Sequence, residues 1–338
     1  MSRANSEKGG VLVFMTFMIV LLLIMVGMGL DTGYLSYTRS QGQAAVDAAA
    51  LSAVSGLPLN AGAVTARAAA FNSTNNYTGA VVQSNVIGAS NITYVQYNET
   101  SGVITDLPSI AGANGVRVAL EKTNPYTGTT SSTQMRTPAF MTPLMKLFGA
   151  SASGSNDVNV SAVAALKALP GIPIAIMEKI CNGMNQVNNV RLRQSSAGGD
   201  NSCWTTYTDT PSTDNVVQAL FQKNLTCSGL PAGSELITIG TSIVLNDNVQ
   251  DSTYEKATQL FMMDMPNQWW FVPVIPDSPN CQPTESITQW AKIRPTHVDD
   301  SGSNKYIEVD LVCGQSQFRA DANQCFTARL LRDTKSGM

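Results

Sequence analysis

VLVFMTFMIVLLLIMVGMGL, residues 11–30, holds twenty residues without a charge, and only Thr16 and two glycines interrupt its apolar run. At about 1.5 Å rise per residue, a helix of this length spans roughly 30 Å, the hydrocarbon thickness of a bilayer. A short polar tail precedes it and one long polar-surfaced body follows. The stretch therefore predicts a transmembrane anchor at 11–30, with residues 1–10 as a cytoplasmic tail.

Charge sets the orientation. Arg3, Glu7 and Lys8 lie ahead of the span; beyond it the first charge is Asp31 and the first basic residue is Arg39. The Lys/Arg excess on the tail keeps that side in the cytoplasm and sends the body across. A cleaved secretory signal would have an apolar core of roughly 7–15 residues followed by a small-x-small site. Here the core is longer, and Gly27-Met28-Gly29 falls inside the helical pattern, so the expectation is an uncleaved signal anchor.

Composition narrows the function. Charged residues make up 13% of the 338, with net charge −3. Asn, Ser, Thr and Gln supply the polarity, which leaves no electrostatic footprint for nucleic acid. All six cysteines, Cys181, Cys203, Cys227, Cys281, Cys313 and Cys325, lie in the C-terminal half. An even number of them, without CxxC spacing, fits disulfides in an oxidising compartment better than a zinc site. The pairing stays open, although Cys313 and Cys325 are spaced to close a hairpin-like loop.

After the anchor comes DTGYLSYTRSQGQAAVDAAALSAVSG, 31–56. Alanine is the best helix former, so the anchor helix is expected to continue as a stalk to about Ser55, with Gly56 and Pro58 as the stop. An Ala/Ser surface is either a good helix in water or a face that lets another backbone approach closely. Gly29-Leu30-Asp31-Thr32-Gly33-Tyr34, then Arg39, Gln43, Ala45 and Asp47-Ala48-Ala49-Ala50-Leu51, resembles in order and spacing the head of the TadG-like proteins. These belong to the Flp/Tad (tight adherence) pilus-assembly group. The resemblance implies a single-pass protein of the bacterial inner membrane, with its body in the periplasm or outside the cell. Its partners would be pilin or pilus-assembly subunits, and it could form homo- or hetero-oligomers through the N-terminal helix. It would act by structural contacts and cell adhesion rather than catalysis, with no cofactor. Partner-helix packing would fall to Gly29, Asp31, Gly33, Tyr34, Arg39, Gln43, Ala45, Asp47, Ala48 and Leu51. Prepilin-type members are cut after a glycine and carry a glutamate at the fifth mature residue. Gly10 precedes Val11 here, but that fifth residue is Met15, so the intact-anchor branch fits better.

The remainder predicts an α+β fold: an α+β domain at 57–170, which the resemblance implies is the TadE/G-like domain, then a disulfide-containing β-rich domain at 171–338. Segment 61–71 reads as a helix, and 92–97, 116–121 and 158–166 read as strands. TPAFMTPLMKLFG, 137–149, has apolar residues at helical spacing after Pro138 and predicts a helix. Beyond LPGIP, 169–173, expected strands are 235–240, 268–276, 287–295, 305–313 and 325–331, with one helix at 253–265 and an antiparallel arrangement. Trp269-Trp270 reads as core and cross-strand aromatics, or alternatively as the platform of a membrane-anchored ligand- or glycan-binding module.

Chemistry is sparse. There is no G-x-S-x-G, Walker A, H-E-x-x-H or G-x-G-x-x-G motif, and His297 is the single histidine. Asp299-x-Ser301-x-Ser303 matches a von Willebrand-type metal string but reads as a turn between strands. Asn246-Asp247-Asn248 with Asp251 offers calcium-type oxygens without the glycine and distal glutamate of an EF-hand loop. Asn72, Asn91, Asn98 and Asn224 lie in N-x-[ST] triplets, as an Asn/Thr-rich surface produces by chance. The chain is expected to hold no catalytic or metal site.

Overall fold

With no proline before Pro58 and alanine dominating 44–53, helix α1 runs unbroken from Ser6 to Val54, 49 residues or about 70 Å. This computed structural model describes residues 6–74, 87–120, 135–140, 142, 146, 149, 155–181, 186–193, 201–208, 214–226, 237–246, 251–278, 281–301, 305–319 and 325–332. The chain divides into two units. One comprises 1–96, 104–164 and 330–338; the other comprises 97–103 and 165–329.

In the first unit α1 changes environment along its length. Its apolar part is bare, with Leu12, Phe17, Leu22 and Met25 all more than 60% exposed. From Thr38 upward one stripe is buried: Thr38, Gly42, Ala45, Val46, Ala49, Ala50, Ala53 and Val54. Spacing of three and four places these on one helical face. That face packs on α2 (Ala61–Thr74), β3 (Gly115–Leu120), β4 (Met135–Pro138) and β5 (Ser155–Val158). Asn60 caps α2, its Oδ1 accepting Ala63 N–H at 2.9 Å. β1 (Ile92–Tyr97) pairs antiparallel with β3, Ile92 opposite Val118. With β2 (Ile104–Leu107) and β6 (Val160–Ala168) they form one sheet in the order β6-β3-β1-β2; β15 (Phe326–Leu331) is the last described strand. β4 and β5 pair with each other.

The second unit is built on an eight-stranded sheet, β12-β10-β9-β7-β11-β13-β14-β8. Its strands are β7 (Ile174–Met177), β8 (Gln186–Leu192), β9 (Ser202–Tyr207), β10 (Ser242–Asn246), β11 (Trp270–Ile275), β12 (Thr284–Ser286), β13 (Gln289–Asp299) and β14 (Tyr306–Val312). Pairing is antiparallel except between β7 and β11, which run parallel. Strand alternation builds a core on each face. Ile174, Ile176, Trp270, Val272 and Val274 point one way, and Ala175, Met177, Phe271 and Ile275 the other. The short helix α3 (Glu178–Cys181) follows β7. The first core is completed by α4 (Asp214–Thr226) through Val217 and Phe221, and by α5 (Asp251–Thr258) through Tyr254 and Ala257. A wide π-turn, Gln259–Asp264, extends α5 and adds Leu260 and Phe261. Trp204 lies edge-on to both Phe221 and Tyr254, at 5.7 and 5.8 Å.

Two disulfides staple this unit, Cys181–Cys313 across 132 residues and Cys203–Cys281 across 78. Loops of these lengths correspond to about 4–5 kcal/mol each of unfolded-chain entropy on the chain-entropy model. Cys325 is also disulfide-bonded, while Cys227 lies outside the described residues. The hairpin-like pairing of Cys313 with Cys325 is corrected: Cys313 follows β14 directly and meets Cys181 at the end of α3, with Cα atoms 5.7 Å apart.

The α+β class holds, and the helix near 61 and the strands near 92, 116, 158, 268, 287, 305 and 325 form where the patterns place them. Three expectations change. The strand expected at 235–240 is a turn over its described residues 237–240: Thr241 N–H donates to Thr238 O, and Gly240 takes φ +86°, so the strand starts only at Ser242. Pro138 ends strand β4 instead of opening a helix; Thr142 and Lys146 are helical, and most of 141–150 lies outside the described residues. The C-terminal half also holds more helix than expected, through α4.

Candidate membrane and assembly helix

The ten residues singled out in the head of α1 fall into two groups. Several turn toward the chain's own first unit. Gln43 bridges: its Nε2 donates to Asp47 Oδ1 at 2.8 Å and to the Ser161 carbonyl of β6 at 2.9 Å. Both amide hydrogens are thereby used, which fixes the rotation of α1 against β6. Asp31, directly after the apolar run, accepts the Phe140 backbone N–H at 2.6 Å. Tyr34 meets Phe140 edge-on, with centroids 5.8 Å apart. Ala45 is buried, and Ala48 and Leu51 are half-buried.

Gly29, Gly33 and Arg39 are exposed. A Cβ placed on either glycine would meet nothing within 4 Å. Together with Ser36, Ser40 and Ala44, the two glycines form an exposed row at spacing three to four, all of them small.

The upper end of α1 is finished from α2. With no basic residue in its last turn, α1 receives Arg67, whose Nη1 donates to the Ser55 carbonyl at 2.6 Å and also to Ser55 Oγ. Ser52 Oγ returns a bond to Arg67 O at 3.0 Å. A cation there complements the partial negative charge of the helix C-terminus. Gly56 lies at the expected stop, though for a different reason from a left-handed cap. A Cβ on it would come within 2.6 Å of Val64 N and 2.8 Å of Val64 Cα, so only glycine lets the α2 backbone pass.

The second unit's candidates are placed as follows. Trp270 is in the core, whereas Trp269 points to the opposite face, half-buried. There Lys292 Nζ and Arg294 Cζ lie 5.6 and 5.2 Å from its ring. The pair therefore presents no two-ring platform. His297 is exposed on β13. Asp299 ends β13, and its Oδ1 accepts Ser301 N–H and Oγ–H at 3.1 and 2.8 Å. These bonds hold its carboxyl below the usual Asp value. That is turn chemistry, and Ser303 lies outside the described residues, as do Asp247 and Asn248. Among the described residues, no group of three or more His, Cys, Asp or Glu is arranged to hold a metal. Tyr207 is fully buried on β9, donates to the Ile172 carbonyl, and has its phenol pushed well above the usual Tyr value by desolvation.

Among the described residues one helix is long and apolar enough to cross a bilayer, and with the disulfides of the body it marks a membrane-anchored protein with a disulfide-bonded extracytoplasmic body. Residues 9–70 match the family model Tad, Flp pilus-assembly TadE/G-like. Over this head the chain carries a TadE/G-like match, which supports a pilus-assembly-related role. The matched segment takes in nearly all of α1 and most of α2, and it ends before the first strand. No curated protein and no solved structure matches the chain.

Proposed function

We propose that the protein is a single-pass structural component of a Flp/Tad-type pilus or its envelope machinery, anchored in the bacterial inner membrane with its N-terminus in the cytoplasm. The observation that carries this reading is the form of α1 inside the family-matched segment. It is one helix, bare and apolar below, and locked by Gln43, Arg67 and Asp31 to a folded body above. Such a helix transmits the position of its membrane half to the body without a hinge. Residues 11–30 are the anchor, 31–56 the stalk, and 57–170 and 171–338 the two parts of the exported body. Partner-helix packing falls to the exposed row containing Gly29 and Gly33. At the membrane end of this row, small residues at this spacing let two backbones approach and gain van der Waals contact.

The test is a clean in-frame deletion, complemented with wild type or with Gly29→Leu/Gly33→Leu. Piliation and adhesion should fall in the deletion, return with wild type, and return only weakly with the bulky pair. Unchanged piliation in the deletion would overturn the assignment. Full rescue by the bulky pair would remove the packing face while leaving the assignment standing.

A further inference from the structure

Asp31 is the first residue beyond the apolar run, and it does not face water alone. Its carboxylate holds the backbone of Phe140, 109 positions later, at 2.6 Å. Phe140 is therefore fixed at the level where α1 leaves the bilayer. It is 53% exposed, and Tyr37 is 52% exposed. Tyr34 lies between Phe140 and Tyr37, with ring centroids 5.8 and 6.5 Å away.

The axial positions can be read from the helix. Asp31, Tyr34 and Tyr37 lie one, four and seven residues past Leu30, or about 1.5, 6 and 10 Å along the axis. The headgroup region adds roughly 5–8 Å to each side of the hydrocarbon core. Tyr34 and the Asp31-held Phe140 thus fall in the interfacial layer, where Tyr and Trp girdles sit in membrane proteins, and Tyr37 lies just above it. A hydrogen bond to the Asp31 carboxylate also suits this depth, because an unpaired charge at the hydrocarbon edge is costly. Between Pro138 and Gly149 the sequence has one charged residue, Lys146, and it is exposed.

We propose that Phe140, positioned by Asp31 and flanked by Tyr34 and Tyr37, is a second membrane contact. It seats the base of the first unit in the headgroup–acyl boundary of the same bilayer that α1 crosses. The partner is a phospholipid surface, identified by the continuity of this aromatic cluster with the apolar span. The inference rests on the anchor reading of α1. The first unit then stands on the membrane at two points, α1 and Phe140.

The test uses the full chain reconstituted in phosphatidylcholine/phosphatidylglycerol nanodiscs in which part of the lipid is brominated near the top of the acyl chains. Three variants each add one tryptophan, and the emission gained over wild type is followed. Leu22→Trp lies in the span, and Leu59→Trp is exposed in the same unit beyond the far end of α1. Phe140→Trp is the query. Its added emission should lose at least half the fraction that Leu22→Trp loses, whereas that of Leu59→Trp should be unchanged. If Leu22→Trp is quenched and Phe140→Trp behaves like Leu59→Trp, the second contact is refuted. If Leu22→Trp itself escapes quenching, the anchor reading fails, and the proposal built on it fails too.

Discussion

Gly56 and Gly33 are both glycines of the family head, and the structure gives them opposite sensitivity to one added methyl. At Gly56 a Cβ would be 2.6 Å from Val64 N and 2.8 Å from Ala63 C and Val64 Cα. All three are backbone atoms, so no side-chain rotation relieves the contact. Restoring an ordinary 3.4 Å separation pushes α2 away by about 0.6–0.8 Å. Overpacking of this kind costs about 1–3 kcal/mol. At Gly33 the added Cβ meets nothing within 4 Å, and alanine in a helix interior gains about 0.5–1 kcal/mol over glycine. Native-state hydrogen exchange of the full chain in detergent, read peptide by peptide, separates the two. Gly56→Ala should speed exchange across 57–70 about 5- to 150-fold, with 270–299 unchanged, because local opening is what the clash promotes. Gly33→Ala should leave 57–70 as in wild type and slow exchange across 28–40. Equal protection of 57–70 in wild type and Gly56→Ala would refute the claim that close backbone approach, rather than a terminal stop, is why glycine stands there.

Gln43→Ala should cost about 1 kcal/mol in urea denaturation followed by circular dichroism, the net value of a part-buried hydrogen bond to β6. Gln43→Glu should cost more at neutral pH, since a carboxylate would face Asp47 and the Ser161 carbonyl without a proton to donate. That repulsion raises the folded-state pKa of the new Glu, so the excess cost is present above that value and vanishes below the unfolded value of about 4.3. For Asp299 the sign is reversed. Its lowered folded pKa means that the ordering of the Asp299–Ser301 turn is complete above the ordinary Asp value of 3.8 and is lost as pH falls through the folded value. Carboxyl carbon NMR should show Ser301→Ala moving the Asp299 midpoint upward, part of the way, because the backbone bond remains. Peptide mapping without reduction should recover Cys181–Cys313 and Cys203–Cys281. Replacing Cys203 and Cys281 with alanine should cost roughly 2–5 kcal/mol of stability in the second unit, read by the intrinsic fluorescence of its four tryptophans.

The head was legible because each of its signals is local. An uncharged run of twenty residues, a proline-free alanine stretch and a fixed order of Asp31, Gly33, Arg39, Gln43 and Asp47 can be read without knowing what lies opposite. β14 was legible for the same reason, with Ile307, Val309 and Leu311 buried and alternating with more polar neighbours. β7 and β9 carry no such period: IAIM and SCWTTY are buried on both faces, so sidedness leaves no trace in their sequences. α4 does carry one, in Val217, Leu220 and Phe221 at helical spacing after Asp214, within a region dense with strand-like segments.

What the alanine face of α1 covers was not readable at all. A helix side made of methyl groups accepts any close backbone, so its sequence states a capacity and names no partner. The partner is chosen by contacts far apart along the chain: Gln43 with Ser161, 118 residues away, and Asp31 with Phe140. These contacts take up the upper stripe of α1 within the chain itself and leave the exposed row containing Gly29 and Gly33 uncovered, close to where the apolar run ends. A partner helix in the same bilayer would therefore meet α1 through the lower row, with the register of that contact carried upward by a helix that has no break before Val54.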